Sequence, residues 1–149
     1  SLEMYEDTYL GTADSAVRLL TEIDHSAVGL NPDLGNLQRL HRPVEHWLAM
    51  VEKTVPFANY WHVKNYLRTE DAETGGIMTA PVPMEIGVIN YRLAVQKAIS
   101  CGFRGIFCCE HYGSDSLSVS ARNREYLQRI LPAHDVGQAD VRHRTASAV

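Results

Sequence analysis

Apolar residues along this chain keep two alternating rhythms. Four short runs, "SLEMY", "AVGLN", "NYWHVKN" and "FRGIFCCE", are continuous enough to be strands covered on both faces. Between them, apolar positions recur at helical spacing. Thr12 is placed to cap a helix carrying Ala16, Leu19, Leu20 and Ile23 on one face. Pro43 suits the first turn of a second helix, with Val44, Trp47, Leu48 and Val51 inward. Asn90 caps "YRLAVQKAIS", and Gly102 closes it in the left-handed conformation. A last helix is predicted from about Ser120 to Leu131, with Asn123, Tyr126, Leu127 and Ile130 inward and Pro132 as its stop. The stretch "TEDAETGGIMTAPVPMEIG" shows neither period and is predicted to be a long loop.

Four strand–helix units predict an α/β fold of parallel strands with helices packed outside. An open four-stranded sheet of that kind leaves edges and an inner face uncovered. A closed barrel of eight such units takes about 250 residues, and this chain of 149 residues has half the units. A (β/α)4 half-barrel over residues 1–132 is therefore expected, beginning inside a strand. Residues 133–149, polar and aperiodic, are expected to be a disordered tail.

Composition narrows the function classes. Hydrophobic content is 45% and charged content 21%, the profile of an ordinary globular chain. Net charge is −4, and the 14 Lys and Arg residues are scattered, so no nucleic-acid partner is expected. No apolar run approaches the roughly 20 residues of a membrane span, and "SLEMYEDTYL" lacks a basic start and apolar run of the secretory type. The three cysteines, Cys101, Cys108 and Cys109, form no disulfide framework and read as small apolar side chains in a reducing compartment, with the cytoplasm as the expected location.

Each predicted strand ends at or near a residue able to bind a hard or borderline cation: Glu3, Asp33, His62 and Glu110. In a parallel barrel the C-terminal strand ends converge on one mouth, so residues far apart in sequence become neighbours. Three carboxylates and one imidazole suit Mn, Mg, Co or Zn with positions left for water or substrate. Glu110 is the most telling, because a carboxylate closing an apolar strand must be solvated, paired or metal-bound.

The pieces "LEMYEDTYLGTADSAVRLL", "VGLNPDLGN", "YWHVKNYLR" and "GVINYRLAVQKAISCGFRGIFCCEHYGSD" together resemble the second half of a xylose isomerase-like TIM barrel. That superfamily includes sugar-phosphate isomerases and epimerases, ketose 3-epimerases and endonuclease IV-type proteins. The resemblance implies that Glu3, Asp33, His62 and Glu110 hold one divalent ion. It implies that Glu3 and Glu110 also exchange protons with substrate carbon, through an enediolate stabilised by the metal. It places Asn36, Lys64 and Arg68 as substrate contacts. Ketose epimerases usually carry His where Asn36 stands and often an acid where Asn65 stands, so their particular reaction is not implied. The expected substrate is a small sugar or sugar phosphate, with the 69–86 loop as a lid. An endonuclease-type phosphodiesterase, for which His111 is the one extra histidine at the mouth, is the alternative activity. A non-catalytic half-barrel is the other alternative. Uncovered edges lead to an expectation of self-association, or of pairing with a missing N-terminal half-barrel.

Overall fold

The structure, a computed structural model, describes residues 1–40 and 42–132. The expected tail, 133–149, lies outside the described residues. Four strands run parallel: β1 (Leu2–Glu3), β2 (Leu30–Asn31), β3 (Tyr60–Val63) and, after an intervening hairpin, the strand Ile106–Cys109. β1 pairs with β2, with Glu3 opposite Asn31, and β3 pairs with Ile106–Cys109, with His62 opposite Cys108. A parallel bridge between Leu30 and Ala58 joins the two pairs. The order in space is thus the order in the chain, as in one side of a barrel wall, and the described strands do not close into a barrel.

Helices cover the outside. Helix α1 (Ala13–Ile23) starts at Thr12, whose hydroxyl accepts from the Ser15 amide, and buries Ala13, Ala16 and Leu20. α2 (Leu34–Gln38) is a short buried helix started by the Asp33 carboxylate. α3 (Trp47–Thr54) begins four residues after Pro43, not at it. The reason lies in Glu45. The bent segment from Pro43 to His46 carries this carboxylate back to α1, where it accepts from the Ala13 amide at 2.9 Å and pairs with Lys53 at 2.8 Å. Val44, expected inward, is exposed as a result.

The expected long loop is instead an antiparallel hairpin, β4 (Asn65–Glu70) and β5 (Ile77–Val82), paired from Asn65–Val82 to Glu70–Ile77. Its tip is closed by Asp71, whose Oδ1 accepts from the Glu73 and Thr74 amides and the Thr74 hydroxyl, with Gly75 at positive φ. Most of the hairpin faces solvent, Leu67 and Met78 included, so no buried face imposed an alternating apolar pattern on its sequence.

α4 (Tyr91–Ser100) is capped by Asn90 as predicted, and Gly102 has a φ of 92°. The strand Ile106–Cys109 is β6, and α5 follows at Ser116–Ile130, one turn earlier than expected. β6 was expected to be buried. With β3 as its only strand neighbour among the described residues, its residues are instead half-buried, and Ile106 is exposed. Cys101 and Cys109 pack against the core, and all three cysteines are free thiols. The core between strands and helices is built on Met4, Leu30, Trp61, Val63, Met50, Val51, Tyr91 and Val95, with Trp61 edge-on to Phe103 at 5.8 Å. No helix among the described residues is long and apolar enough to cross a membrane.

Candidate metal centre

Backbone pairing brings the four predicted ligands to one end of the strand row. Glu3 is the last residue of β1, and Asp33 follows β2 by two residues. His62 lies within β3, and Glu110 follows β6, its amide donating to the Val63 carbonyl at 3.1 Å. The Asn31 side chain spans β2 and β3 by accepting from the His62 amide at 2.8 Å, which fixes the height of the imidazole. One donor atom from each of the four residues lies within 4.8 Å of the others. His62 Nδ1 is 3.3 Å from Glu3 Oε1, 3.5 Å from Asp33 Oδ2 and 3.6 Å from Glu110 Oε2.

The donor set fits a divalent ion. Oxygen donors with one imidazole match magnesium or manganese chemistry. Asp33 is 0% exposed, and its Oδ2 accepts no well-formed hydrogen bond although Lys64 Nζ is 2.8 Å away. That oxygen faces the inside of the cluster, toward Lys64 and the His62 imidazole.

Electrostatics at the cluster are strongly coupled. Burial pushes the Asp33 carboxyl up, outweighing the pull of His62 and Lys64. Burial acts the same way on Glu3, but hydrogen bonding with Asp33 and His62 prevails and holds it below the usual carboxylate range. Bonding to Asp33, against the effect of burial and helped by Glu3 and Glu110, raises His62 to about 8.

Of the three expected substrate contacts, two touch the ligands directly. Asn36 is buried, and its Nδ2 donates to Glu3 Oε1 at 3.1 Å and to the Met4 carbonyl at 3.0 Å. Its amide also donates to Asp33 Oδ1 at 3.2 Å, so one residue orients two ligands. Lys64 is 1% exposed. Its ammonium is clamped between Asp33 Oδ2 and Glu110 Oε2 and sits 4.5 Å from the centre of the Tyr112 ring. Desolvation would lower its pKa, but the two carboxylates raise it instead. Arg68 is half-buried on β4, opposite Thr79, out along the hairpin. His111 bonds to Asp115 at 3.1 Å and is not a member of the four-residue group.

Two residues have supporting roles that the sequence did not assign to them. The Tyr91 hydroxyl donates to the Lys64 carbonyl at 2.7 Å and accepts from the Lys64 amide at 3.1 Å, anchoring the backbone under the ammonium. The Asn65 side chain donates to the Met84 and Ile89 carbonyls and accepts from the Ile89 amide, tying the 84–89 segment to the strand end. A lysine flanked by apolar strand residues was the available signal for the buried charge, since Lys is buried only when paired.

A sequence model of the xylose isomerase-like TIM-barrel family matches residues 2–131. The chain belongs to that family. A xylose isomerase-like TIM-barrel protein from Mycobacterium smegmatis, whose crystal structure is a complex with magnesium, is similar at 56% sequence identity and a TM-score of 0.81. The match covers 87% of this chain and 42% of that one. A xylose isomerase domain protein from Planctomyces limnophilus shares the fold at 18% identity and a TM-score of 0.65, over 87% of this chain and 43% of that one. The chain thus spans less than half the length of either family member. No curated protein matches it.

Proposed function

We propose that this chain carries the metal centre of a divalent-metal-dependent sugar or sugar-phosphate isomerase or epimerase. The observation that carries the reading is the convergence of Glu3, Asp33, His62 and Glu110, one donor atom each, within 4.8 Å. Magnesium in the Mycobacterium smegmatis relative supports the choice of a hard divalent ion. Such an ion, held by these four residues, supplies Lewis-acid polarisation of a hydroxy-carbonyl substrate.

The chain's own groups do the rest. Glu3 and Glu110 approach from the two outermost strands of the parallel row, so each serves one side of a substrate lying between them. Glu3, held below the usual carboxylate range and still partly open to solvent, is ionised at neutral pH and takes a proton from substrate carbon. Glu110 returns one from the other side. Lys64 holds Asp33 and Glu110 in place and offsets part of the charge of three carboxylates. The β4–β5 hairpin, which replaces the expected loop, begins one residue after Lys64 and is the element placed to shield the site from water.

The test is exchange of carbon-bound hydrogen. Keto and aldo pentoses and hexoses, with and without phosphate, incubated in D2O with Mg2+, Mn2+ or Co2+, are expected to gain deuterium beside the carbonyl. Asp33→Asn should abolish both this exchange and Mn2+ binding followed by electron paramagnetic resonance. Tight Mn2+ binding without exchange on any of these sugars would overturn the reading.

A further inference from the structure

Beside the metal group lies a second polar cluster that the proposed chemistry leaves unused. The two segments bearing Glu3 and Asp33 also bear Glu6 and Arg39, three and six residues further along. Arg39 pairs with Glu6 through one guanidinium nitrogen, which also donates to the Tyr5 hydroxyl at 3.0 Å. The guanidinium carbon sits 5.6 Å from the centre of the Tyr5 ring and 5.9 Å from that of Tyr66. Tyr66 connects this cluster to the metal group. It follows Lys64 by two residues, and the charges that act on its hydroxyl are those of Lys64, Arg39 and Asp33, together with Tyr112.

Three polar atoms of the cluster are buried without a hydrogen-bond partner among the described residues: Glu6 Oε2, Arg39 Nε and the Tyr66 hydroxyl. Tyr66 as a whole is 4% exposed. One orphaned group is tolerable in a folded chain. Here three are linked through Arg39, whose guanidinium pairs with Glu6 and lies 5.9 Å from the centre of the Tyr66 ring; one is an acceptor, one a donor and one able to be either, a set suited to a polar ligand. Tyr5, which the Arg39 guanidinium contacts, is 39% exposed, so the cluster reaches the protein surface.

The charge of the set selects the ligand class. Glu6 cancels Arg39, so the cluster offers no net positive charge to an anion, and Glu6 Oε2 would repel a phosphate. A hydroxyl has a match for each member, since its oxygen can accept from Arg39 Nε or from the Tyr66 hydroxyl and its hydrogen can be donated to Glu6 Oε2. Resting on the sugar reading above, we infer that Glu6, Arg39 and Tyr66 form a subsite for the uncharged, hydroxylated end of the substrate, so that the centre takes a free sugar and discriminates against its terminal phosphate ester.

Equilibrium binding of D-fructose and D-fructose 6-phosphate to the Mg2+-loaded chain, by calorimetry, tests this. The free sugar is expected to bind about tenfold or more tighter. Glu6→Gln removes the repelling charge and leaves Arg39 uncompensated, so it should invert the preference. Tyr66→Phe should weaken the free sugar selectively while the melting temperature and Mn2+ affinity stay close to wild type. A wild-type preference for the phosphate ester, or an unchanged ratio in both variants, would overturn the subsite and leave the isomerase reading standing. Binding of neither ligand to a chain that holds Mn2+ would instead overturn the sugar reading itself, and the subsite with it.

Discussion

At the scale of single residues, His62 shows how the carboxylates gathered around it set its charge. Its imidazole is raised from an ordinary 6.5 to about 8 by Asp33, Glu3 and Glu110. A group raised on folding stabilises the fold fully below its unfolded pKa and loses that contribution as pH rises through the folded one. The melting temperature of the metal-free chain should therefore fall between about pH 6.5 and pH 8. Saturating Mg2+ needs the neutral imidazole, so the stabilisation it adds should grow over the same interval. Scanning calorimetry at both pH values, with and without the ion, checks the two signs. Lys64 makes the complementary point. Its buried ammonium contacts both Asp33 and Glu110 and lies closer to each than the His62 imidazole does. Lys64→Met is expected to cost about 3–5 kcal/mol without metal, the usual result of stripping one partner from a buried ion pair. Mg2+ should restore much of that loss by supplying the missing positive charge, which urea denaturation in parallel series would measure.

At the scale of elements, side chains that hold one segment against another decide the geometry of the site. Asn65 holds the start of β4 against the 84–89 segment, and Gly87 passes so close that a Cβ would lie 2.5 Å from Asn65 Cγ, at a φ of 140°. Gly87→Ala should destabilise by more than about 1 kcal/mol, since the backbone conformation and the contact both oppose it. In a double-mutant cycle by urea denaturation, Asn65→Ala and Gly87→Ala should cost less together than the sum of the two alone. Helix starts were legible because Thr12 and Asn90 act locally, through their own side chains on the next turn. The start of α3 was not legible, because Glu45 is recruited by α1, some thirty residues back in the chain. Nor was the hairpin, whose strands are held by each other and bury little.

On the scale of the whole molecule, the row β1–β2–β3–β6 has a free edge at each end among the described residues, and β6 shows Ile106 and half-covered Phe107 and Cys108. Parallel edges with apolar side chains invite a further strand. In solution the chain should self-associate, so that sedimentation equilibrium reports a mass above the monomer, and charged substitutions at Ile106 and Leu117 should shift it towards the monomer. What the residues alone determined is the alternation of strands and helices, the parallel sheet and the four candidate ligands at the strand ends, because periodicity and strand-end chemistry are local properties of the chain. Only the folded arrangement decided that Lys64 belongs to the ligands, with its ammonium between Asp33 and Glu110, and that Glu6, Arg39 and Tyr66 meet beside them. Such partnerships join residues far apart in the chain, and no local pattern records them; distance in space, charge and exclusion of water select them once the strands lie side by side.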